Sequence, residues 1–396
     1  MIFQILDDRE QCFGIYSNGK FTYDKIPSHL NRTWDWSPHL IGRNVDYASL
    51  WSSGKKLGSF GPSHLCDRFE LRSKKVKAFL NAVNKSKIKF SDVCLFDIIP
   101  EQHLKHYCEI KNELCEWIFE NCEKPKNHQF LVDLSELVYD ISQNVLRIDL
   151  NRLFKHTKTD RKAYHLYRFI DGKEMRVLYD IWGSVTGRLT TNPMSFPMLN
   201  LKKEIADCVV PKRDVFVQFD FNGSEIRTLL SLAEIEQPEE DIHEWNIKNI
   251  YPDIKTRDDA KKKFFAWLYN PNSSDKAIEK FYNRDQVLNK YYNNGIVSTP
   301  FGREIEADDF HALNYLLQSS SSDNCLYQTI KINKFLKGKK SFVHSVVHDS
   351  VTIDMSFEDK HLVEQIIELF EDTRLGKFKS SMSIGTDLKK LEEIQW

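Results

Sequence analysis

Apolar and polar residues alternate over short stretches at the start of the chain and fall into longer helical periods further on. MIFQIL, CFGIY and KFTYDKI read as short strands, with turn chemistry at Asp7-Asp8 and at Ser17-Asn18-Gly19. A basic, loop-like stretch then runs through Lys89, holding GSFGPS and Lys74, Lys75, Lys77, Lys85, Lys87 and Lys89. From Pro100 a helix is predicted, with Leu104, Tyr107, Leu114, Trp117 and Ile118 at helical spacing. Residues 119–185 read as short mixed elements. From Val215 the signals sharpen into strand, helix, long helix, helix and hairpin.

The chemistry concentrates in that last region. VFVQFDFNGSEIRTLLSLA starts as an apolar strand that delivers Asp220 at its end, followed by a helix from about Ser224. A carboxylate at a strand end is a good metal ligand, because backbone carbonyls beside it can also coordinate. SFVHSVVHDSVTIDM reads as two apolar strands joined by a tight turn at His348-Asp349-Ser350, a second candidate ligand position. In RDDAKKKFFAWLYN, Arg257, Lys261, Phe265 and Tyr269 recur every four residues. Each step drifts only about 40° around a helix, so the four share one broad face. Two cations and two aromatics suit a nucleotide, with phosphates on the cations and a base or sugar on a ring. An amphipathic surface helix with core aromatics would show the same stripe. TGRL adds Arg188 in a Gly-containing turn, and NYLLQSSSSD places Asn314 and Gln318 on one helix face. Neighbouring amides there can donate to the acceptors every base pair shows in the minor groove.

Composition narrows the class without choosing it. With 396 residues, 41% hydrophobic and 29% charged, the chain is an ordinary globular one of two or three domains. No run approaches the roughly 18 apolar residues of a membrane span, and MIFQILDDRE lacks the basic start of a secretory signal. Fifty-six Lys and Arg against 57 Asp and Glu give a net charge of −1, so any positive surface for nucleic acid must be local. Eight scattered cysteines, with no C-x-x-C pair, point to a reducing compartment and to neither a zinc site nor a disulfide scaffold. Cys108, Cys115 and Cys122, seven apart, read as small apolar residues on a buried helix face.

In their order, these segments resemble family A DNA polymerases, the group of bacterial DNA polymerase I and several phage replicative enzymes. The resemblance rests on T-G-R-L at 186–189, D-x-x-x-x-E-x-R at 220–227, D-I-H at 241–243, R-x-x-x-K-x-x-x-F-x-x-x-Y at 257–269, N-x-x-x-Q at 314–318 and V-H-D at 347–349. It covers residues 176–396. It implies a DNA-directed DNA polymerase in which Asp220, Asp349 and the Phe221 backbone hold two Mg²⁺ ions, with Mn²⁺ able to substitute. Arg257, Lys261 and His243 would hold the triphosphate, Phe265 the incoming sugar and base, and Tyr269 the templating side. Glu225 would be the gate against a ribose 2′-hydroxyl. Arg188, Asn314, Gln318 and His348 would contact the primer terminus and minor groove. Three departures stand out: Ser350 replaces the usual acid after His-Asp, Ala266 and Asn270 replace glycines, and serines follow Gln318.

The N-terminal part resembles the family's 3′–5′ exonuclease domain, with its carboxylates lost. LIGRNVDYASL carries Ala48, and HYCEIKNEL carries Tyr107 but Lys111, where metal-binding aspartates stand; Asp8 and Glu10 have the D-x-E spacing but lie beyond the first strand. VLRIDLNRL at 145–153 is similar to the segment before the thumb, and only about 30 residues separate it from the first palm motif, implying a stub. The expected fold is α+β: an antiparallel palm at 186–396 with small helical fingers at about 236–300, a linker and reduced thumb at 119–185, and an α/β, RNase H-like exonuclease remnant at 1–118. Implied partners are primer-template DNA, deoxynucleoside triphosphates and a processivity or replisome protein, with no membrane and a cytoplasmic location. A phage-type origin fits the reduction. The basic stretch from Lys74 to Lys89 is one candidate for extra DNA contact. Two alternatives stay open. A single-subunit RNA polymerase or primase is favoured by Ser350 and opposed by Glu225. A non-catalytic DNA-binding accessory protein is favoured by the short thumb and opposed by Asp220, Asp349, Lys261 and Arg257.

Overall fold

In the computed structural model, which describes all residues but 10, 11, 24, 87–92, 395 and 396 and only the backbone at 7, 8, 9, 12 and 95, the opening alternation folds as an antiparallel meander. Its strands are β1 (Phe3–Arg9), β2 (Cys12–Ser17) and β3 (Lys20–Thr22). Asn18 and Gly19 both take positive φ, as the two-residue turn between β2 and β3 requires. The expected turn at Asp7-Asp8 is corrected: a bulge between Ile5 and Asp7 absorbs the irregularity, and β1 pairs on to Arg9. Of the Asp8 and Glu10 pair, Glu10 lies outside the described residues.

The basic stretch is also corrected. Residues 63–85 form helix α1 (Ser63–Lys85), whose Leu65, Phe69, Val76, Phe79 and Leu80 pack into two apolar clusters. The lysines fill the remaining faces and disguise the apolar period. Lys87 and Lys89 lie outside the described residues. Against α1 packs α2 (Glu101–Asn121), burying Leu104, Cys108, Ile110, Leu114, Cys115 and Ile118. Burial pushes the Cys108 and Cys115 thiols up to about 12, so both behave as small apolar groups. Cys94 is disulfide-bonded, which spacing along a chain cannot foretell, since a disulfide depends on where the fold brings distant residues.

Two compact units divide the chain, Met1–Glu136 and Leu137–Trp396. Instead of only short elements after residue 119, α3 (His128–Gln143) is a full helix, carried by the stripe Phe130, Leu131, Leu134, Leu137 and Ile141. In the second unit, α4 (Leu150–His156) and α5 (Arg161–Ile170) form a short helical pair. Asp149 and Asp160 cap them, each accepting two backbone N–H bonds.

The second unit is built on a five-stranded, wholly antiparallel sheet. Strand β4 (Val215–Phe221) leads into α6 (Ser224–Leu232), α7 (Ile242–Asn249), α8 (Arg257–Tyr269) and the long α9 (Ala312–Leu336). The hairpin β5 (Phe342–Val347) and β6 (Ser350–Met355) follows, then α10 (Val363–Glu371), β7 (Ser380–Gly385) and β8 (Glu392–Ile394). The sheet order is β5-β6-β4-β7-β8. Phe219 and Phe221 point to α10, with Phe221 stacked on Phe370 at 4.1 Å. The two-residue period therefore turns Asp220 to the opposite face. Ile226, Leu229, Ile242, Phe264, Trp267, Leu268, Leu316 and Leu317 join α6–α9 in one core. The fold is α+β. Ser319–Ser322, all buried, let α9 approach closely, and the Ser224 and Ser321 hydroxyls meet at 2.6 Å. Among the described residues no helix is long and apolar enough to cross a membrane.

Candidate active site

Asp220 and Asp349 converge because β4 and β6 are neighbours. Asp220 pairs with Ser350, and Asp349 sits in the two-residue turn just before it. His348, the first turn residue, has a φ of 57°, in the region that favours glycine. Such strain costs on the order of 1 kcal/mol and persists only where the surroundings impose it. Here Tyr179 does so, its hydroxyl donating to the Val346 carbonyl at 2.6 Å and accepting from the Val346 N–H at 3.0 Å. The Ser350 hydroxyl donates to the Val347 carbonyl at 2.9 Å, bracing the same turn.

Asp220 is open to solvent but walled by protein on most sides. That crowding, then the charge of Asp349, raises its carboxyl to about 7 against the pull of Lys261; Glu393 on β8 adds to the rise. Among the described residues no three His, Cys, Asp or Glu side chains form a metal-binding group. Protein ligation would therefore rest on two carboxylates plus backbone, and Phe221, its ring held in the core, has only its carbonyl to offer.

Helix α8 lines up its stripe as the spacing predicts. Phe265 stacks on Tyr269 at 5.8 Å and 17°, and His243 lies 6.3 Å from Phe265. Burial, then the nearby Arg257 and Lys261 charges, hold His243 down to about 4, so it is neutral at pH 7. Its Nδ1 is buried without a partner among the described residues. The Tyr269 hydroxyl donates to Glu225 Oε2, and Arg188 Nη2 donates to Glu225 Oε1 at 2.8 Å. Glu225 thus bridges α6, α8 and the TGR turn. Arg188 and His348 line one recess with Ser322, Leu326 and Val346. Asn314 and Gln318 are half-buried on α9, and Asn314 Oδ1 has no partner among the described residues.

Sequence reasoning missed the residues that hold these groups. Asp241 is the largest omission. Its Oδ1 caps α7 by accepting the His243 and Glu244 N–H groups at 2.9 and 3.0 Å. Its Oδ2 takes Arg257 Nε and Nη2 at 3.1 and 3.0 Å and also the Asn222 amide. One carboxylate ties the end of β4 to α7 and α8. A helix-capping Asp before Ile-His was readable; its distant partners were not. Gly223, at φ 65°, leaves room for Ile242, whose Cγ2 would lie 2.3 Å from an added Cβ. Arg227, fully buried, donates to the Asn222, Pro238 and Glu240 carbonyls. Arg303 pairs with the buried Asp323 at 2.8 and 3.1 Å beneath the TGR turn. A Cβ on Gly187, whose φ is 75°, would lie 2.5 Å from that guanidinium.

No protein-family model and no curated protein matches the sequence. Among solved structures, the chain is similar to the POL domain of Pol1 from M. smegmatis, described in complex with DNA primer-template and dNTP. The TM-score is 0.65 at 13% identity, over 91% of this chain and 86% of that one. At that identity the likeness is one of fold: this chain has the fold of a DNA polymerase domain.

Proposed function

We propose that the protein is a template-directed DNA polymerase that adds deoxynucleotides to a primer 3′ end and lacks proofreading. The observation that carries this reading is the convergence of Asp220 and Asp349 beside the cationic and aromatic face of α8. In this reading residues 186–396 are palm with fingers at about 236–300, 119–185 linker and reduced thumb, and 1–118 an exonuclease remnant, within a reduced, phage-type family A enzyme.

The carboxylates fit a divalent cation: Asp220 is raised first by the crowding around it and then by the charge of Asp349, and a bound cation relieves that repulsion. Asp220, Asp349 and the Phe221 carbonyl would hold two Mg²⁺ ions. When bound, these lower the pKa of the primer hydroxyl and neutralise charge on the triphosphate. The 3′ oxygen bonds to the α-phosphorus as the bond to the pyrophosphate oxygen breaks. The chain's own groups set that geometry. Lys261 and Arg257 present cations to the phosphates, and neutral His243 donates a hydrogen bond without adding charge. Phe265 and Tyr269 offer a stacked platform to the nucleotide. Glu225, fixed by Arg188 and Tyr269, fills the space a 2′-hydroxyl would need. Arg188 and His348, sharing one recess, face the primer end.

The test is primer extension with deoxy- and ribonucleotides supplied separately. Asp220→Asn and Asp349→Asn should each abolish Mg²⁺-dependent addition while primer-template binding persists. Near-normal extension by either variant refutes the assignment.

A further inference from the structure

The second unit holds a cleft of about 890 Å³, lined by Lys377, Lys379 and Ser381 and by Glu236 and Glu239 of the loop between α6 and α7. That volume lies in the range of small-ligand sites. The pairing of β7 with β4 fixes its lysine wall. Ser380 stands opposite Phe221 and Ser381 opposite Asp220, and the Asn222 N–H donates to the Lys379 carbonyl at 2.9 Å. Phe378 turns its ring to Phe221, 5.5 Å away, and the Ser380 hydroxyl donates to Glu371 Oε1 on the α10 side. The two-residue period therefore puts Lys379 and Ser381 on the face that carries Asp220. Lys377, one period earlier, lines the same cleft.

Both lysines are exposed, and among the described residues neither joins an ion pair. A short run of contacts ties this wall to Arg257: Lys379 meets Asn222, the Asn222 amide donates to Asp241, and Asp241 accepts from Arg257. The acids of the cleft are of two kinds. Glu371 is spent on Ser380, whereas Glu236, Glu239 and Glu393 are exposed and pair with no cation among the described residues. Two free lysines beside free carboxylates would attract a bare polyanion with one wall and repel it with the other. They fit a polyanion that carries its own divalent cation, with phosphate oxygens on the ammonium groups and the hydrated cation toward the carboxylates.

Resting on the polymerase reading, we propose that this cleft receives the pyrophosphate released at Asp220, as its complex with a divalent cation, with Lys377 and Lys379 on the phosphates. The leaving product then has a site built from β7 and β8, separate from the α8 stripe that takes the incoming triphosphate.

Isothermal titration of DNA-free protein tests this, with inorganic pyrophosphate and Mg²⁺ as one titrant and a deoxynucleoside triphosphate as the other. The pyrophosphate arm is run in a Lys261→Ala background, so that the α8 stripe does not mask the cleft. The variants are Lys377→Ala with Lys379→Ala, Lys379→Arg alone, and Lys360→Ala outside the cleft. The double variant should lose pyrophosphate affinity about tenfold while triphosphate affinity, measured with Lys261 present, stays within about twofold. Lys379→Arg and Lys360→Ala should bind pyrophosphate as their parent does. Omitting Mg²⁺ should weaken binding to the parent, because the carboxylates then face a bare anion. All three side chains are exposed, so melting should not change.

Equal pyrophosphate affinity in the double variant and its parent overturns the proposal. So does an equal loss for both titrants, which would assign the lysines to the incoming triphosphate, or an equal loss in Lys360→Ala, which would reduce the effect to net charge. Normal primer extension together with an unaffected titration sinks this inference and leaves the polymerase reading standing. Failure of the wild type to extend primers sinks that reading whatever the titration gives.

Discussion

Replacing Asp241 by Asn tests whether one carboxylate joins the end of β4 to α7 and α8. The amide keeps the Oδ1 cap on α7 but removes the charge that holds Arg257 and Asn222. Burial alone would raise the Asp241 carboxyl; hydrogen bonds from Arg257, Asn222 and the Glu244 N–H outweigh it and hold it at about 2, against about 3.9 for a free aspartate. A depression of that size corresponds to about 2 kcal/mol at pH 7. Summing contacts gives a similar size: about 0.5–1 kcal/mol for a half-exposed pair with Arg257 and about 1 for the Asn222 amide. The folded-state pKa is depressed, so this stability is present above about pH 4 and lost as pH falls through about 2. At pH 3 it should have shrunk to about half. Urea unfolding of wild type and Asp241→Asn, in steps from pH 7 to pH 3, measures the difference directly. A deficit under about 0.5 kcal/mol at pH 7, or one that stays constant down to pH 3, refutes the reasoning.

Glu225→Ala should admit ribonucleotides and free Arg188 and Tyr269 from their shared anchor; comparing incorporation efficiency for the two sugars checks it, and unchanged discrimination would move the gate elsewhere. If residues 1–118 are an exonuclease remnant, with Ala48 and Lys111 in place of ligand carboxylates, wild-type protein with Mg²⁺ or Mn²⁺ should leave a mismatched 3′ end intact; steady trimming on a gel would contradict this. The isolated chain should release DNA after short additions, since few phosphates are neutralised; single-encounter extension with a heparin trap reads it, and products hundreds of nucleotides long would defeat it.

The strand, helices and hairpin around Asp220 and Asp349 were legible because their signals are local. Val215–Phe221 shows an apolar strand ending in Asp220, the α8 stripe repeats every four residues, and His348-Asp349 stands between two apolar runs. Helix α1 was not, because lysines, arginines and other polar residues interrupt its apolar positions and hide their period. What escaped most consistently was the bracing. Asp241 meets Asn222 and Arg257 from 19 and 16 residues away, and Tyr179 meets Val346 from 167. Contacts at such separations leave no period or turn signal, only two polar residues that seem unrelated until the chain folds.

The Arg303–Asp323 pair beneath the TGR turn also constrains how this sequence can drift. Losing either partner alone strands a buried charge, at about 3–5 kcal/mol, whereas exchanging both for apolar residues of similar volume can be neutral or better. An exchange that put a shorter apolar residue at 303 would in addition open the space under Gly187 that the guanidinium now fills, releasing that position from glycine on steric grounds while its positive φ still resists. Positions 187, 303 and 323 should therefore change as a set or stay still. In a saturation library screened for activity, each would look intolerant singly, and substitutions at 303 and 323 would rescue one another only in combination.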